Sequence, residues 1–137
     1  MAEYDVKSGA TFGNSLDSVQ SLPVAGSSVD TAKFDGVLVS TTGVIIAGTT
    51  VSSGNGASLT LEHSDSDSAS TFTTVPADQI NGSLPADLLS VGSASRSLSG
   101  YIGKKRYLRV SFTDSTVGDM VWAGGVNVIL LKGENTP

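Results

Sequence analysis

Side chains able to do chemistry are few in this sequence. A single histidine, His63, means that any Ser-His-Asp triad must be built on it, and no Gly-x-Ser-x-Gly elbow or other nucleophile turn accompanies it. His63 follows Leu59 and Leu61 at alternate positions, the spacing of a strand residue on their face. Asp65 and Asp67 offer hard oxygen ligands for calcium, but as an EF-hand loop the stretch has Ser70 where glycine is required and Pro76 where glutamate is required. A solvated Ser-rich loop accounts for the pair better. No spacing singles out two carboxylates for glycoside hydrolysis. Gly54-Asn55-Gly56 has Leu59 at the position of the third glycine of a phosphate loop and no helix after it, so it reads as a turn. The basic residues are unevenly placed: five of eight, Arg96, Lys104, Lys105, Arg106 and Arg109, fall within fourteen positions. They form either a contact surface for an acidic partner or a strand edge kept soluble by charge. The residue chemistry gives no catalytic, metal or cofactor site, and the chain is not expected to be an enzyme.

Composition narrows the classes further. The 137 residues suit one domain. Hydrophobic residues make up 39% and charged residues only 15%, with sixteen glycines and abundant Ser and Thr. Long helices draw on Ala, Leu, Glu, Lys and Arg, whereas Val, Ile and Leu set between Ser, Thr and Gly are the vocabulary of sheets. Cysteine is absent, which excludes disulfides, thiol nucleophiles, iron–sulfur clusters and cysteine-ligated zinc. A net charge of −5 disfavours nucleic-acid binding, which releases counterions through many lysines and arginines. No apolar run reaches the roughly 18 residues of a spanning helix, and the first residues lack a signal-peptide core, so a soluble, unexported chain with no membrane partner is expected.

Hydrophobic spacing places the elements. Residues 1–33 mix isolated apolar positions with turn formers and are expected to be an N-terminal arm or short edge strands, ahead of a sandwich domain over 34–137. Gly36–Ser40 and Gly43–Ala47 read as two buried strands bounded by glycine. Ser52–Gly56 has the residues of a hairpin reversal leading into Leu59 and Leu61. A Ser-rich loop then feeds Thr71–Val75, and Pro76–Gly92 is a long crossing connection. Leu108, Val110 and Phe112 alternate with Tyr107, Arg109 and Ser111 in the clearest amphipathic strand. Asp114–Gly118 would turn that strand as a hairpin into Met120–Leu131, which is apolar on both parities, as in a central strand covered on both faces. Seven to nine short strands predict an all-β fold, an antiparallel β-sandwich or jelly-roll-like single domain.

The stretch from Leu61-Glu62-His63-Ser64-Asp65 through Ser70-Thr71-Phe72-Thr73-Thr74-Val75, followed by Tyr101-Ile102-Gly103-Lys104-Lys105-Arg106-Tyr107-Leu108-Arg109-Val110, resembles small structural proteins of tailed bacteriophages. Asp5-Val6-Lys7 and Ser15-Leu16-Asp17-Ser18-Val19-Gln20 are also similar. The Tyr-Ile-Gly-x-Lys-Arg-Tyr block is the distinctive part; Leu108 stands where those proteins usually carry Val, and the Ser-rich loop is longer. The resemblance implies a capsid decoration, or cement, protein: a noncatalytic β-sandwich in the virion, on the outside of the head, bridging neighbouring major capsid protein subunits. It would act as a homodimer or homotrimer, and Arg96, Lys104, Lys105 and Arg106 are the candidate partner-contact residues. Two alternatives stand beside it. One is a tail-tube or head-closure component. The other is a carbohydrate-binding sandwich in which Tyr101, Tyr107 and Trp122 stack on sugar rings.

Overall fold

Alternation of apolar and polar side chains decides which face of each strand is buried. In a computed structural model, which describes residues 10–132, Leu108, Val110 and Phe112 are fully enclosed while Tyr107, Arg109 and Ser111 between them stay half-exposed. The strands are β1 (Ala10–Ser21), β2 (Val24–Ala25), β3 (Val29–Asp30), β4 (Gly36–Ala47), β5 (Ser58–Ser64), β6 (Thr73–Thr74), β7 (Ile80–Asn81), β8 (Ala94–Tyr101), β9 (Tyr107–Thr113) and β10 (Val121–Leu131). They form two antiparallel sheets, the first in the order β1-β10-β4-β8-β7 and the second in the order β2-β9-β5-β6 with β3 also paired to β9. The sheets pack face to face as a β-sandwich, the all-β architecture expected from the sequence.

The core lies between the sheets and is organised around Trp122 on β10. Its indole is fully buried, touches the Phe112 ring of the opposite sheet at 5.2 Å between centroids, and donates a hydrogen bond from Nε1 to Ser95 Oγ at 2.7 Å. Space for the indole is made by glycine: a Cβ on Gly43 would sit 2.5 Å from the Trp122 ring carbons Cε2 and Cζ2. Three of the four inward positions of β8 are serine, Ser95, Ser97 and Ser99, and the fourth is Tyr101. Ser95 meets the indole and Ser99 donates to the Ser83 carbonyl at 2.6 Å, but the Ser97 hydroxyl and that of its register partner Thr41 are buried without a hydrogen-bond partner.

Several expectations are corrected by this topology. Gly36–Ser40 and Gly43–Ala47 are one twelve-residue strand, because Gly43 is there to clear the indole and does not turn the chain. The expected hairpins at Ser52–Gly56 and Asp114–Gly118 are arches between sheets: the first takes the chain from β4 in the first sheet to β5 in the second, and the other returns it from β9 to β10. Both are turns locally, and Gly54 has a φ of 90°. Local turn chemistry, however, does not say which sheet the next strand joins. Among the described residues there are ten strands where seven to nine were expected, four of them two residues long. The strand β10 is central, as expected, but one of its faces remains half-exposed at Val121, Ala123, Ile129 and Leu131.

Of the two forms expected for the N-terminal segment, its described part takes the edge strand, and a long one. Residues 1–9 of the expected arm lie outside the described residues, while Ala10–Ser21 is a long edge strand on β10. Its alternation is hidden by a bulge between Asn14 and Leu16, which turns both Ser15 and Leu16 inward. The bulged Ser15 ties the two sheets together. Its Oγ accepts the Val110 amide hydrogen at 3.1 Å and donates to the Ser27 carbonyl, while its own carbonyl accepts from the Ser27 amide.

A buried hydroxyl without a partner costs about 1 kcal/mol or more. Thr41→Val is therefore expected to raise stability by about 1 kcal/mol, read as a higher midpoint in equilibrium urea denaturation.

Candidate functional site

The loop 102–106 carries the chain from the end of β8 in the first sheet to the start of β9 in the second. Its shape is set from beneath by Tyr101, whose side chain is buried under the loop. Tyr101 Oη accepts the Lys105 amide hydrogen at 3.1 Å and lies 2.8 Å from His63 Nδ1, with the two rings edge-on at 81°. A neutral imidazole carrying its hydrogen on Nε2 satisfies both contacts, since the hydroxyl then donates to Nδ1. An imidazolium would turn a second N–H donor onto the same hydroxyl. Burial, followed by the nearby Lys105 charge, holds the His63 pKa below its ordinary value, with Asp65 opposing. Burial likewise pushes the Tyr101 phenol up. His63 thus has the strand position expected for it, on the face of Leu59 and Leu61, and serves as a hydrogen-bonded support.

Backbone and charge contacts fix the rest of the loop. The Ile102 amide donates to the Gln79 carbonyl at 2.9 Å. Gly103 lies against the Tyr101 ring, where a Cβ would come within 2.5 Å of Tyr101 Oη and Gln79 Oε1. Lys105 Nζ pairs with Asp65 at 3.1 Å. Arg106 makes a two-pronged pair with Asp30, Nε to Oδ1 at 2.9 Å and Nη2 to Oδ2 at 2.7 Å, and its guanidinium also covers the Tyr107 ring. The hydrogen bond from Arg106, with one from the Ala32 amide, holds the Asp30 carboxyl down to about 2, and the same pair raises the Arg106 pKa. The Thr31 amide and hydroxyl both donate to the Arg106 carbonyl.

The four sequence candidates therefore separate. Lys105 and Arg106 are spent on internal ion pairs, Lys104 is exposed with no partner among the described residues, and Arg96 stands apart on the outer face of β8. Arg109, the fifth member of the basic run, pairs with its cross-strand neighbour Glu62 at 2.7 Å and covers the Phe72 ring at 4.3 Å. Beside Lys104, Ile102 is 61% exposed. This ridge overlooks a depression of about 730 Å³ whose floor is apolar, with Phe34, Val37, Leu38 and Leu131, and whose rim carries Lys33, Lys104, Lys105 and Arg106. The sequence pointed to the basic run. It carried no signal for Asp30 or Phe34, which lie some seventy residues away in the chain and reach the loop only through β3.

Other candidate chemistry is accounted for structurally. Asp65 is taken by Lys105 and Asp67 accepts from Ser28, so the Asp-x-Asp pair braces its loop. Among the described residues, no group of three or more His, Cys, Asp or Glu lies together as a metal site. Of the three rings considered for sugar stacking, Trp122 and Tyr101 are buried and Tyr107 lies beneath Arg106. No known protein family matches the chain, and no curated protein or solved structure is significantly similar to it.

Two outcomes are expected. Because the folded His63 pKa is depressed, its contribution to stability is complete above the unfolded value and is lost as pH falls below it toward the folded value. The denaturation midpoint should therefore fall between about pH 7.5 and about pH 5.5, and His63→Gln should flatten that dependence. Gly103→Ala should cost about 1–3 kcal/mol in the same denaturation assay, because the Tyr101 ring has to give way.

Proposed function

We propose that the protein is a noncatalytic virion structural protein that decorates the outside of a tailed-phage head and stabilises contacts between major capsid protein subunits. The observation that carries this reading is the loop 102–106. Its frame is locked by Tyr101, Asp30 and Asp65, while the exposed Ile102 and the unpartnered Lys104 are presented outward. A contact surface held rigid before binding loses little conformational entropy on docking. Side chains at the tip of such a loop suit recognition of a partner surface that has an apolar hollow beside an acidic group. The same block, Tyr101 to Tyr107, carries the resemblance to phage structural proteins. Its residue types have local reasons: tyrosine under the loop, glycine against the ring, arginine for the Asp30 pair. Many copies of a rigid module, each adding modest contacts, sum to a strong clamp on a pressurised shell.

Purified protein should bind undecorated heads and raise their rupture temperature. The double variant Ile102→Asp, Lys104→Glu should weaken that binding by roughly tenfold or more with its own denaturation midpoint unchanged. Failure of the wild-type protein to bind heads at micromolar concentration overturns the proposal.

A further inference from the structure

The loop 102–106 also borders a second hollow, of about 580 Å³, which Pro76 and Gln79 line together with His63. We propose that this hollow is a socket for one carboxylate, the side chain of an aspartate or glutamate on the protein that the chain contacts. That the carboxylate belongs to a partner protein rests on the contact role proposed above for the loop. The preference for a carboxylate rests on the hollow alone.

The imidazole supplies the first reason. His63 is only 4% exposed. Burial keeps the ring neutral, and the Tyr101 hydroxyl occupies Nδ1 at 2.8 Å, so the ring hydrogen sits on Nε2. Nε2 has no acceptor among the described residues, yet it is not one of their fully enclosed unpaired atoms, which are the Thr41 and Ser97 hydroxyls alone. Since His63 lines this hollow, the N–H opens into it. A donor on a nearly buried side chain calls for an acceptor.

Charge supplies the second. The Lys104 ammonium and the backbone amides of Gly103 and Lys104, two further residues of the lining, have no acceptor among the described residues either. Asp65, the one carboxylate on the lining, is paired with Lys105 at 3.1 Å, and these two charges cancel. One positive charge, that of Lys104, is left over. A carboxylate balances it with a single negative charge and accepts several hydrogen bonds at once, whereas a phosphate monoester brings nearly two charges. The apolar part of the lining, Pro76 and the 61% exposed Ile102, suits the hydrocarbon of the chain that carries the carboxylate. A polypeptide side chain therefore fits the hollow better than a free small acid.

Because the sequence holds a single histidine, its ring nitrogens give unambiguous NMR signals. Titration of the full chain near neutral pH with the N-acetyl, α-methylamide derivative of glutamate should move the Nε2 signal to saturation, and the matching glutamine derivative should not. Lys104→Gln should weaken that response at least roughly fivefold with the denaturation midpoint unchanged, and should weaken binding to undecorated heads by a similar factor. No movement of Nε2 at roughly 0.1 M of the glutamate derivative, or an equal response to the glutamine derivative or to inorganic phosphate, overturns the inference and leaves head binding by the wild-type protein untouched. A Lys104-dependent glutamate response alongside head binding indifferent to Lys104→Gln overturns the partner as its source and makes the site one for a free carboxylate. Absence of head binding by the wild-type protein also overturns the partner as source, and the titration still decides the carboxylate.

Discussion

The structure depends on one buried indole. Trp122 stands on an inner strand of the first sheet, and its ring reaches Phe112 on an inner strand of the second, so the largest core side chain joins the two layers directly. Its demands spread outward. Gly43 must be glycine because the ring occupies the space of a side chain, and Ser95 must offer an oxygen because a buried indole N–H needs a partner. The run Gly36–Ala47 stays continuous past its internal glycine because that glycine lies in a packed layer.

From that frame the chain crosses between sheets again and again, and the crossing at 102–106 is where rigidity meets solvent. A second aromatic residue, Tyr101, does for this loop what Trp122 does for the core. One hydroxyl takes the loop's amide hydrogen and engages the only imidazole in the chain. Nearby charges that look from sequence like a binding surface are mostly structural struts. Arg106 holds β3 through Asp30, Lys105 holds the Ser-rich loop through Asp65, and the surface left for a partner is set by the residues that lack such duties.

How much of this was legible beforehand follows from what each signal measures. Alternation at Leu108, Val110 and Phe112 reports burial on one face, and the strand is where the pattern puts it. Ser15 and Leu16 both turn inward at a bulge, so the first strand lacks an unbroken alternation, and its residues read equally as an arm or as short edge strands. Turn residues at Ser52–Gly56 and Asp114–Gly118 reverse the chain as read, but a reversal within a sheet and an arch between sheets use the same residues. Lys104, Lys105 and Arg106 were visible as a charge run. Their division into one unpartnered side chain and two struts depends on Asp65 and Asp30, whose approach is a property of the tertiary fold.

The pairing order carries a consequence for how the protein is made. β10, the last strand described, lies between β1 and β4, with Ala10 opposite Leu131 and Leu131 opposite Gly36. During synthesis, β1 and β4 therefore emerge from the ribosome long before the strand that joins them, and the indole that joins the layers arrives with it. The first sheet cannot close until residues 121–131 have emerged, so its folding waits for that strand. A chain cut short before residue 121 lacks the centre of its first sheet and its largest core side chain together, and prematurely terminated products are thereby kept out of the folded pool.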